Sequence, residues 1–72
     1  MDRMLTRRER DVLRLLAAGC TYCGIAAHLG ISPHTVVTHI KNAYRKLDVH
    51  NAASAVMRAV QLGIVQPVGE TS

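Results

Sequence analysis

Apolar side chains recur at helical spacing in four stretches of the chain, and each stretch follows a residue that commonly begins a helix. In the first stretch, Thr6 and Glu9 have the spacing of a capping box: the hydroxyl accepts from a free amide, and the carboxylate reaches back to the cap. The apolar positions that follow are Val12, Leu15 and Leu16. With Gly19 as the stop, the pattern predicts a first helix at about 7–18.

The second and third stretches are separated by a very short turn. Thr21 caps a short segment that ends at Gly30, and Ser32 followed by Pro33 begins a segment that has no breaker before Asp48. A glycine-containing turn of this length between two helices is typical of a helix-turn-helix. Similar turns also join helices in bundles that bind no nucleic acid, so the turn alone leaves both interpretations open.

The last stretch begins after Asn51, which can cap a fourth helix of Ala, Val and Met that stops at Gly63. No segment shows the alternation of a strand. The sequence therefore predicts an all-α fold, a four-helix bundle that contains a helix-turn-helix without a wing. We expect one domain over residues 1–66 and a flexible C-terminal tail at 67–72.

The faces of the third helix differ in character. At about 100° per residue, the predicted buried stripe is Val36, Ile40, Ala43 and Leu47. The predicted exposed arc is His34, Val37, Thr38, Lys41 and Arg45, with Asn42 at its edge. Residues 32–47 include three basic side chains and no acidic one, so this face can approach phosphates without like-charge repulsion.

The exposed arc also carries groups that recognise bases. Lys41, Thr38 and Asn42 can donate to base edges in a major groove, and Val37 can contact a thymine methyl. The alternative is a solvated face with one stray valine, since single exposed apolar residues are ordinary.

Charge and composition narrow the classes of function. Nine Lys and Arg against five Asp and Glu give a net charge of +4, which favours an anionic partner such as nucleic acid. No apolar run approaches the ~20 residues of a membrane span, so we expect a cytoplasmic protein without a membrane partner. No Ser-His-acid set or carboxylate pair comes with a pocket, and 72 residues hardly enclose one. We expect no enzyme activity, no cofactor and no small-molecule ligand in this domain.

Cys20 and Cys23 form a Cys-x-x-Cys pair near His28. A structural zinc site needs four ligands, usually with a second pair at finger-like spacing, and a thioredoxin-like site needs a βαβ setting. The sequence has neither feature. We therefore expect no metal site. A thiol or zinc module remains a third possible function, after DNA binding and protein interaction.

The ordered motifs of the chain resemble the C-terminal DNA-binding domain of LuxR/FixJ-type (GerE-like) bacterial transcriptional regulators. The resemblance spans about residues 5–62, and it is carried by Leu5-Thr6, Arg8-Glu9, Val12-Leu13, Leu15, Gly19, Ile25-Ala26, Leu29, Ile31-Ser32, Thr35-Val36, His39, Lys46-Leu47 and Val49. It implies a four-helix domain whose third helix enters the major groove of double-stranded DNA and whose fourth helix forms a homodimer on a two-fold site.

The resemblance also assigns individual residues. The family's base-contacting positions correspond to Val37, Thr38 and Lys41. Its backbone-contacting positions correspond to Thr21, Tyr22, Cys23, Ser32, His34, Thr35 and Asn42, with Lys46 near the same edge. Unpaired amides at helix starts suit phosphate, while Thr21 and Ser32 can equally serve only as caps.

This sequence departs from the family pattern at several positions. Cys23 and Gly24 stand where a basic residue followed by Glu or Gln is usual, and Val37 stands where Lys or Arg is frequent. Ala52 replaces an Arg that commonly opens the fourth helix. Glu9, on the apolar side of helix one, then needs another donor or a path to water, unless its bond to the Thr6 amide suffices.

The fourth helix has more apolar surface than one small core needs. Positions 52, 55, 56, 59 and 62 form the predicted core side, and positions 53, 57 and 60 widen it. The predicted dimer contact comprises Ala53, Val56, Met57 and Val60. The alternative is a modest exposed patch on a small domain.

Together these features predict sequence-specific DNA binding and regulation of transcription, with RNA polymerase or another regulator as a further partner. The rival hypothesis is a stand-alone helix-turn-helix relative that acts by protein interaction without binding DNA strongly. A sensor or receiver segment does not fit in 72 residues beside this domain. We therefore expect regulation to come from a separate chain or from other parts of a longer regulator.

Overall fold

The computed structural model describes residues 4–65; Arg3 and the predicted tail at 67–72 lie outside the described residues. It contains four helices: α1 (Arg7–Ala17), α2 (Tyr22–Leu29), α3 (Pro33–Leu47) and α4 (Ala52–Gln61). No strand occurs within this part of the chain. The predicted all-α, four-helix fold is confirmed. Helix α1 ends one residue before the predicted position 18, because Ala18 is its C-cap.

All four helices begin at the caps that the sequence predicts. The side-chain oxygens of Thr6, Thr21, Ser32 and Asn51 accept from the amide three residues onward at 2.9–3.1 Å. The capping box of α1 is complete, since the Thr6 amide donates to Glu9 Oε1 at 2.9 Å. These bonds satisfy amides that a helix start otherwise leaves without a partner.

The turn between α2 and α3 depends on Gly30. Its φ of 71° lies in the left-handed region, which a residue without a Cβ adopts at little cost. The amides of Gly30 and Ile31 both donate to the Ala26 carbonyl, which closes the end of α2. This compact end lets α3 start two residues later at Ser32.

The core consists of two clusters, and α3 contributes to both. One lies between α1, α2 and α3: Val12, Ile25, Ala26, Val36 and Ile40. The other joins α1, α3, α4 and the two flanking segments: Leu5, Leu13, Ala43, Leu47, Ala55, Ala59 and Val65. The predicted buried stripe of α3 is thus confirmed, and the opposite face of this helix is left for function.

Helix α4 covers the core with fewer residues than the sequence pattern predicts. Ala55 and Ala59 are fully buried, whereas Ala52 and Leu62 are exposed and Val56 is half-buried. The core-facing prediction is therefore wrong for these last three residues. Ala52 is the first residue of α4 and Leu62 is its C-cap, so only the middle of the helix lies against the core, and Val56 lies on its flank.

A buried ion pair joins α1 to α3. Glu9 is 3% exposed, and its Oε1 accepts from Lys46 Nζ at 2.8 Å as well as from the Thr6 amide. Lys46 Nζ also donates to the carbonyl of Met4 at 3.3 Å. Lys46 thus supplies the charged donor that the buried carboxylate of Glu9 needs besides the Thr6 amide.

Candidate nucleic-acid interface

The outer face of α3 is polar, basic and free of carboxylates. His34, Thr38, Lys41 and Arg45 are exposed, and Thr35 and Asn42 are half-buried at the flanks. Val37 is also half-buried, which corrects its predicted place on the exposed arc. It lies only about 100° around the helix from the buried Val36, at the edge of the stripe and not opposite it.

Hydrogen bonds along α3 fix what its outer side chains present. Thr38 Oγ1 donates to the His34 carbonyl at 3.3 Å, and Arg45 Nη2 donates to Asn42 Oδ1 at 2.8 Å. Lys41 Nζ has no hydrogen-bond partner among residues 4–65. Lys41 therefore presents a free ammonium group to whatever approaches this face.

The starts of α2 and α3 add backbone donors. The caps Thr21 and Ser32 satisfy one amide each and leave those of Tyr22, Cys23 and His34 without a partner within their helices. Pro33 has no amide to contribute. The positive ends of both helix dipoles lie at these positions, so both starts suit phosphate oxygens.

Lys46 differs from the other predicted contact residues. Its side chain is 23% exposed, and its ammonium group is held by Glu9 inside the domain. Burial raises the pKa of Glu9, but the hydrogen bonds from Lys46 and Thr6, together with the charge of Lys46, outweigh it and hold that pKa below its ordinary value. Lys41 and Arg45 are therefore the cations of α3 that keep their full charge for a ligand.

A shallow cavity of about 390 Å³ lies beside the C-terminal half of α3. Its lining consists of Lys41, Tyr44, Arg45, Asp48, Val49 and His50. Burial raises the pKa of Tyr44, and the neighbouring Tyr22 raises it further, so the phenol stays neutral. The helical pattern does not point to His50, because this residue lies in the loop after α3.

The comparisons with known proteins bear on this arrangement. A family model described as "Bacterial regulatory proteins, luxR family" matches residues 3–59. The chain belongs to the LuxR family. This family comprises DNA-binding regulators of transcription and is not a family of enzymes, and the predicted resemblance is confirmed.

Individual relatives match over most of this LuxR-type domain. It is 44% identical over 61 residues to "Transcriptional activator protein AnoR" of Acinetobacter nosocomialis, covering 85% of this chain and 26% of that protein. It is 52% identical over 58 residues to "Probable transcriptional regulatory protein SgaR" of Hyphomicrobium methylovorum, covering 81% of this chain and 28% of that protein. The chain thus spans about a quarter of the length of each of these relatives.

A solved structure shows the same fold. The chain matches "Structure of Transcription factor, GerE" with a TM-score of 0.81 and 35% identity, over 86% of this chain and 92% of that one. The helix-turn-helix of the LuxR-type domain is therefore α2, the Gly30 turn and α3.

The arginines of α1 are partly engaged within the LuxR-type domain. Arg8 and Arg14 each lie 3.5 Å from a carboxylate oxygen of Asp11, and Arg10 donates to the Leu5 carbonyl at 3.2 Å. These contacts are largely exposed, so the ion pairs contribute little stability. Asp11 nevertheless offsets one of the positive charges of α1.

The two cysteines have different surroundings. Cys23 is exposed on the first turn of α2, and the half-buried Cys20 packs against the cluster around Ile25. Both thiols are free. No group of three or more His, Cys, Asp or Glu side chains suited to a metal ion occurs between residues 4 and 65, and no helix there is long and apolar enough to cross a bilayer.

We expect an alkylating reagent such as iodoacetamide to modify Cys23 before Cys20, because reagent reaches the exposed thiol without any opening of the core. Peptide mapping by mass spectrometry after short exposures measures the order. Cys20→Ser and Cys23→Ser variants serve as matched controls. Equal, slow labelling of both thiols in the wild-type chain contradicts this expectation.

The predicted dimer residues lie on the exposed side and on the flank of α4. Met57 is 64% exposed and Ala53 is exposed, while Val56 and Val60 are half-buried. Val60 partly packs against the cluster that contains Ala59, so it belongs to both surfaces. The exposed apolar surface of α4 is therefore centred on Met57.

Proposed function

We propose that this domain binds specific sequences of double-stranded DNA with α3 in the major groove, and that it regulates transcription in the cytoplasm by this binding. The observation that carries the proposal is the outer face of α3. This face offers the charged Lys41 and Arg45, a hydroxyl, an amide and apolar methyls, and no carboxylate. Each of these groups has a partner among phosphates or base edges in a major groove.

The salt dependence of DNA binding tests this proposal. Each phosphate that a cation neutralises adds about 0.9 to the slope of log K against log salt concentration. We expect wild-type binding to weaken steeply with salt and Lys41→Ala to flatten the slope by about one unit. Fluorescence anisotropy with a labelled duplex at several salt concentrations measures both slopes.

Arg58→Ala is the matched control for Lys41→Ala. It also removes one exposed cation, but from α4 and not from α3. We expect its slope to equal that of the wild type. Equal slopes for Lys41→Ala and the wild type, or no specific duplex binding at moderate salt, contradict the proposal.

If no complex with a duplex forms in these experiments, the result favours the rival function, a protein-interaction module. Two features of this chain support that rival. Cys23 and Val37 lack the charge that family members often carry at these positions, and Lys46 is tied to Glu9. RNA polymerase or another regulator is the protein partner that we infer in either case.

We further propose that α4 forms a homodimer on DNA through Ala53, Val56, Met57 and Val60. Exposed Met57 supports this proposal, since an exposed apolar strip on one helix is self-complementary about a two-fold axis. The strip is small, and we expect the dimer to be weak without DNA.

We expect Met57→Asp to reduce dimer formation and binding to a duplex with two half-sites by roughly tenfold, the equivalent of 1.4 kcal/mol, because two carboxylates then meet across the axis. Its affinity for a single half-site stays unchanged. Analytical ultracentrifugation and anisotropy measure these quantities. Arg58→Ala changes the net charge by the same one unit on a different side of α4 and serves as the control. Unchanged affinity of Met57→Asp for the two-half-site duplex contradicts the interface.

A further inference from the structure

The hydroxyl of Thr38 is presented to DNA as an acceptor while it keeps its hydrogen bond within α3. A threonine hydroxyl has one proton and two lone pairs. In α3 that proton is donated to the His34 carbonyl, one turn earlier, at 3.3 Å. Thr38 is exposed, so its lone pairs remain for a partner that donates. In the major groove the bases that donate are adenine, through its 6-amino group, and cytosine, through its 4-amino group.

Asn42 is already engaged by a neighbour within α3. An asparagine recognises adenine by accepting from the amino group and donating to N7 at the same time. Arginine has no acceptor, so Arg45 Nη2 at 2.8 Å must contact the Asn42 oxygen. This contact occupies one of the two lone pairs of the Asn42 oxygen and places a cation beside it. The amide protons are therefore the groups that Asn42 offers most freely, and these suit phosphate oxygens.

Val37 and Lys41 lie next to Thr38 on the helix surface. At about 100° per residue, Lys41 lies about 40° from Val37 and about 60° from Thr38, one turn further along α3. The three side chains therefore form one patch with a methyl surface, an acceptor and a donor. Lys41 is the donor, since an ammonium group has no acceptor.

One kind of base pair satisfies Val37 and Thr38 together. An A·T pair presents the thymine methyl and the adenine amino group in the same major groove, whereas cytosine offers the amino group without a methyl. Lys41 matches the O6 and N7 acceptors of guanine. The rise from Val37 or Thr38 to Lys41 is about 4.5–6 Å. A helix in the major groove follows the groove and not the DNA axis, and residues about one turn apart on such a helix contact successive base pairs.

Resting on the proposed function, we propose that each DNA half-site of this domain contains an A·T pair contacted by Val37 and Thr38. A guanine contacted by Lys41 lies one or two base pairs away. Thr38 is thus a residue that determines specificity, through a lone pair that the fold of α3 leaves available.

The experiment begins with selection of bound sequences from a randomised duplex pool by the wild-type chain. The selected duplex is then compared with a copy in which purine deoxyriboside, which lacks the 6-amino group, replaces the adenine. We expect the wild type to lose at least fivefold in affinity on this replacement. Thr38→Ser, which keeps the hydroxyl, is expected to lose as much affinity as the wild type on the same replacement. Thr38→Val, which keeps the shape but not the acceptor, binds both duplexes equally.

Two further replacements test the other contacts. Deoxyuridine in place of the thymidine removes only the methyl group, and we expect about a fourfold loss for the wild type and none for Val37→Ala. 7-Deazaguanine in place of the guanine removes N7, and we expect a loss for the wild type and none for Lys41→Ala. Comparing each variant on both duplexes isolates the pairwise contact from any change in duplex stability.

The outcomes separate this inference from the function on which it rests. If selection enriches no motif, the proposed function fails, and the inference fails with it. If a motif is enriched but lacks this spacing of A·T and guanine, the inference alone is overturned. It is also overturned if Thr38→Val loses as much as the wild type when the amino group is removed.

Discussion

Lys46→Met is expected to lower the free energy of unfolding by about 3 kcal/mol, because it leaves the carboxylate of Glu9 buried without its charged partner. The Thr6 amide still donates to Glu9, but one neutral donor does not replace an ammonium group at 2.8 Å. In a domain of this size, such a loss lowers Tm by roughly 12 to 24 °C. Thermal and urea denaturation followed by circular dichroism measure the effect.

Arg45→Met is the matched control, since it removes a cation from the adjacent position of α3. Arg45 is exposed, and its side chain hydrogen-bonds only to Asn42 among the described residues, so we expect a change within about 0.5 kcal/mol. Glu9→Gln is expected to lower the free energy of unfolding by less than Lys46→Met does. Glutamine keeps the capping box, and the partly exposed Lys46 can reach water. Equal stability of Lys46→Met and Arg45→Met contradicts a stabilising ion pair.

The pH dependence of stability provides a second measurement on this pair. The pKa of Glu9 is lowered in the folded chain, while in the unfolded chain it lies near the ordinary value of about 4.3. The stabilisation is therefore complete above that ordinary value and is lost as pH falls through the lowered pKa of the folded state. We expect Glu9→Gln to lose less stability than the wild type over this acidic range.

Ile25→Ala is expected to lower the free energy of unfolding by about 3 kcal/mol, because Ile25 is fully buried where α2 packs on α1 and α3. The total stability of a 72-residue chain is about 4–11 kcal/mol. The loss thus removes a large share of the folded population at raised temperature, and with it the paired placement of α2 and α3. Urea denaturation measures the free energy, and anisotropy measures DNA binding at the same temperature.

Leu62→Ala is the control for this cavity. It removes a side chain of equal size from a position that is 58% exposed, so we expect a loss below about 1 kcal/mol and unchanged binding to a single half-site. A similar loss for both variants indicates that α2 is not held by the cluster around Ile25.

Local features of the sequence were sufficient to predict the helices. Thr6, Thr21, Ser32 and Asn51 act on amides three residues away, so each cap is decided within one turn of chain. The buried stripe of α3 was equally predictable, because apolar spacing over four turns leaves one orientation that removes all its members from water. The order of motifs then indicated the family.

The sequence did not predict how the ends and edges of helices pack. Ala52 and Leu62 follow the periodicity of the core side of α4 but lie where no other helix covers them. Val37 is half-buried because burial at the edge of a stripe depends on the neighbouring surface, which a helical wheel does not include. Periodicity gives a direction around a helix, while burial requires a partner in that direction.

The sequence by itself determined the four helices, the glycine turn, the polar and basic outer face of α3 and the family. Only the tertiary structure decided which of the cations on α3 are available. Lys46 and Glu9 are 37 residues apart, and nothing local distinguishes Lys46 from Lys41. Packing of α1 on α3 brings one ammonium group to a buried carboxylate and leaves the other in solvent, because a charge removed from water requires a partner of opposite charge.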